Sequence, residues 1–280
     1  MEDVARYRTE SRRGWGSVAG GWEAHCADVR AAFTPVAVWM LDAARLQPGA
    51  RVLELAAGTG EVGLMAHELI QPGGELILSD FAPEMLNVAQ RAAEGLDGVR
   101  FKQIDIESID VAAASQDAVL CRWGLMFLPD PETGVREVRR VLKPGGRFAT
   151  AAWTGPEENQ WSAVIGRVLV DRGHAEPSDP DAPGQFALAR EGLLQELLES
   201  VGFVDDIVVE PFDVVLEEPS FDVWWSRSMA MSRSGELVRG LSAPEREAVE
   251  ADLRERVAEY ADGEGVLRLP GRTWVAAATA

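Results

Sequence analysis

Glu54, Gly58, Gly60 and Gly63, all in the stretch 51–63 (RVLELAAGTGEVG), are the residues whose types and spacing could do chemistry. Glycine lets the backbone approach a ligand with no Cβ in the way, and a helix start offers unpaired N–H groups. Val52, Leu53 and Leu55 read as a strand buried on both faces, which the glycines stop. Val62, Leu64, Met65 and Leu69 then recur at helical spacing, with Glu61 in the first turn. Strand, glycine turn and helix start together make a cradle for a polar ligand. Read literally, Gly58, Gly60 and Gly63 complete a G-x-G-x-x-G pattern, and Asp80 follows Gly60 by twenty residues at the end of ELILSD. That fits a dinucleotide site. Glu54, however, aims a carboxylate at the same turn and would repel a pyrophosphate. It suits a ligand with positive charge, such as an ammonium or a sulfonium.

S-adenosylmethionine carries both groups. Glu54-Leu55-Ala56-Ala57-Gly58-Thr59-Gly60 resembles the first motif of class I S-adenosylmethionine-dependent methyltransferases, acid-x-Gly-x-Gly-x-Gly, with Ala56 in place of the first glycine. That replacement demands a backbone angle at 56 that alanine tolerates. The resemblance implies roles further along the chain. Asp80 would accept hydrogen bonds from the ribose hydroxyls with Phe81 beside it, and the D-x-x-x-x-M-L spacing would bring Met85 near the adenine. Asp105 would accept from the exocyclic amine while Ile106 lies against the ring. Cys121 and Arg122 would touch the methionine part, and Trp123, Met126 and Phe127 would face the substrate. In the ubiquinone and menaquinone C-methyltransferase-like (methyltransferase type 11) group, which the chain resembles, a leading segment with an aromatic closes over the cofactor. Trp15 and Trp22 in WGSVAGGW are its counterparts here. Each of these residues also has a plain packing role open to it: Met85, Trp15 and Trp22 in the core, Asp105 as a turn cap, Cys121 as a packed thiol.

The remaining composition narrows the function. A chain of 280 residues is long enough to bury about three-quarters of its unfolded surface. A formal charge of −19 argues against a nucleic-acid partner, because phosphate binding needs clustered Lys and Arg. The two cysteines, Cys26 and Cys121, lie far apart with no secretory segment ahead of them, which points to the cytoplasm. No apolar run reaches membrane-spanning length, so no membrane partner is expected. His25, His67 and His174 are scattered without neighbours at ligand spacing, and no metal is expected.

The elements that must position these residues alternate. Strands are expected at 51–55, 75–79, 99–103, 117–121 and 147–153, and helices follow the glycine turn, Pro83 and Glu132. VLKPGGRF (141–148) ends the last of these helices and turns the chain into the fifth strand. The first fifty residues read as two helices split near Pro35. Beyond Gly155 come a Pro- and Asp-rich insertion with one short helix at 161–170, a helix at 188–200, a strand at 207–216 broken by Pro211, helices at 221–231 and 243–260, and a last strand at 273–278. These imply an α/β fold: a three-layer Rossmann-like sandwich with a mostly parallel seven-stranded sheet, an antiparallel last strand and helical lid insertions. One domain is expected, divided into an N-terminal helical cap (1–45), a cofactor-binding core (46–155), an insertion (156–187) and the rest of the sheet (188–280) with a helical insertion at about 219–262.

The acceptor pocket falls to the segments the motifs do not define. Trp153, Trp161, Trp224, Trp225 and Met229 cluster there and suit an aromatic or lipophilic small molecule. Paired Trp224 and Trp225 serve helix packing or a homodimer contact equally well. His25 or His174 could act as a base, although in-line methyl transfer does not require one. An NAD-dependent oxidoreductase and a non-catalytic, cofactor-binding regulatory protein are the rival readings.

Overall fold

The computed structural model describes residues 2–179 and 182–280; Pro180 and Asp181 of the expected insertion lie outside the described residues. Seven strands form one sheet in the order β3-β2-β1-β4-β5-β7-β6. They are β1 (Arg51–Glu54), β2 (Glu75–Asp80), β3 (Val99–Gln103), β4 (Gln116–Arg122), β5 (Leu142–Trp153), β6 (Asp205–Glu218) and β7 (Leu267–Thr279). The first five pair in parallel, and β7 runs antiparallel between β5 and β6. Strand order reverses between β1 and β4, so a crevice opens beyond their carboxyl ends, where such sheets bind ligands.

Helices cover the sheet. α1 (Glu2–Ala44) touches both α2 (Glu61–Ile70) and α3 (Pro83–Ala92); the three lie on the β1–β4 half, with α1 continuing across β5, β6 and β7. α4 (Pro131–Val141) and α6 (Leu193–Ser200) pack together against β5 and β6. α5 (Gln160–Asp171), α7 (Phe221–Met231), α8 (Arg233–Arg239) and α9 (Ala243–Val257) gather above the crevice. Val52, Leu53, Leu76, Leu78, Val119 and Leu120 have no solvent exposure, which is why these strands read as unbroken apolar runs. No described helix is long and apolar enough to cross a membrane.

The structure differs from the sequence reading in several places, each with a cause. The leading segment is one helix, not two, and Pro35 sits inside it. Phe33, Val36 and Met40 flank that proline and are buried. Burying each gains about 1.5–3 kcal/mol, and together they outweigh the roughly 3 kcal/mol that an internal proline costs. Pro211 does not break β6, because β6 is an edge strand and the missing N–H can face away from the sheet. The fifth strand begins at Leu142 rather than past the glycines: Leu142 pairs with Gln116 and Arg147 with Ala118, so 143–146 bulge out of register. The helix expected from 188 starts only at Leu193, after Gly192 in a left-handed conformation. α8 was not foreseen; Ser232 caps it by accepting from the Gly235 N–H at 3.1 Å.

α1 docks onto α7 through a glycine. A Cβ at Gly21 would lie 2.1 Å from the Ala230 carbonyl oxygen, and Trp22 Nε1 donates to the Met231 carbonyl at 3.1 Å. For Gly21→Ala, a gain in helix propensity of about 1 kcal/mol meets a clash with backbone that cannot move aside. The clash dominates, and urea unfolding should show a net loss of about 1–3 kcal/mol.

Candidate active site

The glycine turn is built on two buried carboxylates. Glu54 ends β1 only 2% exposed, and its Oε2 accepts the Gly63 N–H at 2.8 Å. A Cβ at 63 would stand 2.3 Å from that oxygen, so the close approach requires glycine. Asp80, at the end of β2, accepts the Gly58 N–H at 2.9 Å through Oδ2 and the Ala82 N–H at 2.9 Å through Oδ1. One carboxylate thus fixes both the first turn and the next helix start. Burial pushes Glu54 up to about 8, against the pull of Arg122 and the Gly63 N–H. Burial also raises Asp80 to about 6, offset by the N–H groups of Ala82 and Gly58.

Ala56 stands at a φ of 50°, in the left-handed region where glycine is usual. Its methyl group is accommodated by another glycine: a Cβ at Gly124 would lie 2.6 Å from Ala56 Cβ. The missing motif glycine is therefore compensated across the crevice, at the end of β4.

Two more strand ends complete the rim. Asp105 Oδ1 accepts the Glu107 N–H at 3.0 Å, a turn cap, while its Oδ2 lies 3.5 Å from Arg8 Nε. Arg8 also donates to Glu107 Oε2 at 2.5 Å, and Tyr7 donates to the Phe127 carbonyl at 3.0 Å. The start of α1 is thereby tied over the end of β3. Arg122 donates to Glu61 Oε2 at 2.5 Å and lies 4.8 Å over the Trp123 ring.

One cavity of about 1660 Å³ connects these parts, larger than the roughly 300–1,000 Å³ of an ordinary small-molecule pocket. Its first half is lined by Glu54, Ala56, Gly58, Thr59, Asp80 and Phe81, with Met85, Asp105, Ile106 and Arg122 nearby. Its second half is aromatic. Trp123 stacks on Trp153 with centroids 4.3 Å apart, and Phe33 meets Trp123 edge-on at 4.7 Å. Trp161 closes on Trp153 at 5.1 Å, and Trp224 donates to the Trp161 carbonyl at 3.3 Å. Tyr7, Arg8, Ser11, Trp15, Trp22 and Phe33 roof the cavity from α1.

Twelve of the fourteen cofactor-site residues expected from the sequence line this cavity, including Trp15 and Trp22. Gly60 and Cys121 do not. Gly60 is the left-handed N-cap of α2 and works through the backbone. Cys121 is buried between strands, and burial pushes its thiol up to about 12, so it stays protonated. Trp225 and Met229 also stand off the cavity, as do His25 and His174. His25 instead pairs with Asp28 at 3.0 Å. The reading from sequence missed Tyr7, Arg8 and Ser11. Tyr7 and Ser11 belong to the spacing 7, 11, 15, 18, 22, 29 and 33, one stripe of a continuous helix; Arg8 stands beside that stripe and carried no such signal.

Fold and crevice together define a Rossmann-like α/β architecture with its ligand crevice where the strand order reverses. Residues 53–150 match the family described as a methyltransferase domain. Over 124 residues the chain is 39% identical to a demethylmenaquinone methyltransferase of Thermus thermophilus, covering 44% of this chain and 55% of that one. It is 31% identical over 166 residues to an uncharacterised protein of Mycobacterium tuberculosis, covering 59% and 57%. The chain spans little more than half the length of these curated relatives. The solved YcgJ protein of Bacillus subtilis shares the fold, with a TM-score of 0.59 at 21% identity over 88% of this chain and 98% of that one. Residues 53–150 are thus similar to methyltransferase domains, and the curated relatives include a demethylmenaquinone methyltransferase.

The raised Glu54 gives a pH signature. Between its ordinary value of 4.5 and about 8, the folded chain keeps a proton that the unfolded chain has released. Stability should therefore fall as pH rises through that window, with Asp80 adding in the same sense up to about 6. Melting temperatures measured from pH 5 to 8.5 should decline less steeply for Glu54→Gln than for the parent chain.

Proposed function

We propose that this protein is an S-adenosylmethionine-dependent methyltransferase that moves a methyl group to a small aromatic or lipophilic molecule. The observation that carries the reading is the continuity of one cavity between an acidic glycine cradle and a tryptophan-walled chamber. Its volume has room for a nucleoside cofactor and an acceptor together. The likeness to a demethylmenaquinone methyltransferase, whose name describes a quinone substrate, supports an acceptor of that kind.

The residues present fit the cofactor. Asp80 offers negative charge, the buried Glu54 carboxyl would be drawn into its charged form by a sulfonium or ammonium, and a Cβ at Gly58 would meet nothing within 4 Å, so the turn is open to a ligand. Asp105 and Ile106 would hold an adenine by its amine and its face, with Met85 beside it. Asp80 would take the ribose hydroxyls through lone pairs left after its two N–H contacts. When bound, S-adenosylmethionine supplies an electrophilic methyl on a cationic sulfur.

The chain's part is orientation. Trp123, Trp153 and Trp161 would hold a flat acceptor and exclude water, and α1 would roof both ligands. Alignment of reacting groups can supply roughly 7–11 kcal/mol, against about 3–5 kcal/mol from a general base, so the site can work without a histidine. Two free thiols, Cys26 and Cys121, support a reducing cytoplasm as its compartment, and the net charge of −19 supports an acceptor other than nucleic acid.

Calorimetric titration tests the assignment. S-adenosylhomocysteine should bind with micromolar affinity while NADH gives no saturable heat. Asp105→Ala should weaken S-adenosylhomocysteine about tenfold, the scale of one hydrogen bond to a charged group. Saturable NADH binding without nucleoside binding would return the oxidoreductase reading.

A further inference from the structure

At the far end of the aromatic chamber, where β6 hands over to α7, two charged side chains enter the cavity wall. Glu218 is 1% exposed, and its Oε1 accepts from Arg227 Nη1 at 2.8 Å. Arg227 Nη2 lies 3.4 Å from Asp28 Oδ2 on α1, and Asp28 in turn contacts His25. Two buried atoms of the pair are left with no hydrogen bond, Glu218 Oε2 and Arg227 Nε. Both residues line the cavity, among Leu216, Trp224 and Met231.

A buried ion pair that serves only the fold must fill its remaining donors and acceptors, because an unmet one is costly in an apolar setting. This pair keeps one acceptor and one donor unspent beside a ligand chamber; both atoms are closed to solvent in the free chain, so a ligand meets them by turning the two side chains. Among the described residues Glu61 Oε1 and Arg8 Nε are also without a hydrogen bond, but Glu61 does not line the cavity and Arg8 Nε faces the Asp105 carboxylate at 3.5 Å. Resting on the methyltransferase reading, the geometry points to Glu218 and Arg227 as the polar recognition point for the methyl acceptor. Glu218 Oε2 receives a hydroxyl hydrogen of an otherwise apolar ring compound, and Arg227 Nε donates to an oxygen of the same molecule.

Charge decides for a hydroxyl over an ammonium or a carboxylate. Arg227 answers Glu218 at 2.8 Å, while Asp28 is 45% exposed and met by water and His25, so the buried pair is neutral by itself and its unmet demand is for hydrogen bonds. Burial raises the Glu218 carboxyl while Arg227 opposes that shift. The charged groups facing Glu218 are Arg227 on α7 and Asp28 and His25 on α1.

The experiment uses the full chain saturated with S-adenosylhomocysteine and follows tryptophan fluorescence on adding 4-phenylphenol or its methyl ether. The phenol should bind about 10–100-fold more tightly than the ether, the span expected of one hydrogen bond to a charged group. Glu218→Gln keeps the shape and the bond to Arg227 but turns an N–H toward the ligand. The preference should then shrink to within about twofold or reverse, with S-adenosylhomocysteine affinity unchanged. If that variant loses S-adenosylhomocysteine binding, the double variant Glu218→Leu/Arg227→Met, which leaves no lone buried charge, should show the same loss of preference. Equal binding of phenol and ether by the parent chain, no binding of either, or a preference that survives in the variants overturns the proposal while the methyltransferase reading stands. Failure of S-adenosylhomocysteine itself to bind overturns both.

Discussion

The single contact between the Glu54 carboxylate and the Gly63 N–H holds the end of β1 against the start of α2. Everything between them is a turn shaped by that constraint. The strand cannot end elsewhere, because Glu54 must reach the helix. The helix cannot carry a side chain at 63, because the carboxylate is already there. Ser79 adds a second tie by donating to the Glu54 carbonyl at 2.7 Å, and Ala57 donates to the Ser79 carbonyl at 2.8 Å. The neighbouring strand is thus locked to the same turn. A buried carboxylate that favours its proton gives up stability in the free chain, which is tolerable where a cation is to be received.

The second organising feature is α1. As one long helix it reaches from the outer rim of the crevice to the middle of the sheet, where Val36, Ala37 and Met40 bury. The half past Phe33 is anchored by apolar burial. The half before it is held by polar ties at the crevice: Arg8 to Asp105 and Glu107, Tyr7 to Phe127, and Trp22 to Met231. Ties of that kind open at lower cost than buried core does, so the roof is the part of the fold suited to moving when ligands enter. Its anchored half keeps Phe33 against the tryptophans whether or not the front half lifts.

Much of this was legible in order along the chain. Buried parallel strands are apolar throughout, so β1, β2 and β4 could be read to within a residue or two, and Pro83 marked a helix start. Acids placed just past strand ends could be assigned to the crevice before any coordinate was known, because a right-handed crossover sheet leaves no other place for them. Two of the misreadings concern residues whose effect depends on what they touch. Pro35 looked like a break, and Pro211 looked like another. In the first case burial outweighs the lost bond; in the second the strand lies at an edge.

Sequence alone settled the alternation of strands and helices, the glycine turn and the ring of acids, because these follow from local spacing and from the few ways a parallel sheet can be connected. Folding in three dimensions settled the rest. It set Gly124 against Ala56, Arg8 against Asp105, Trp123 against Trp153, and Glu218 against Arg227. These partners are between 9 and 97 positions apart, and whether a charge is met or a ring is stacked depends on distances that no local pattern encodes.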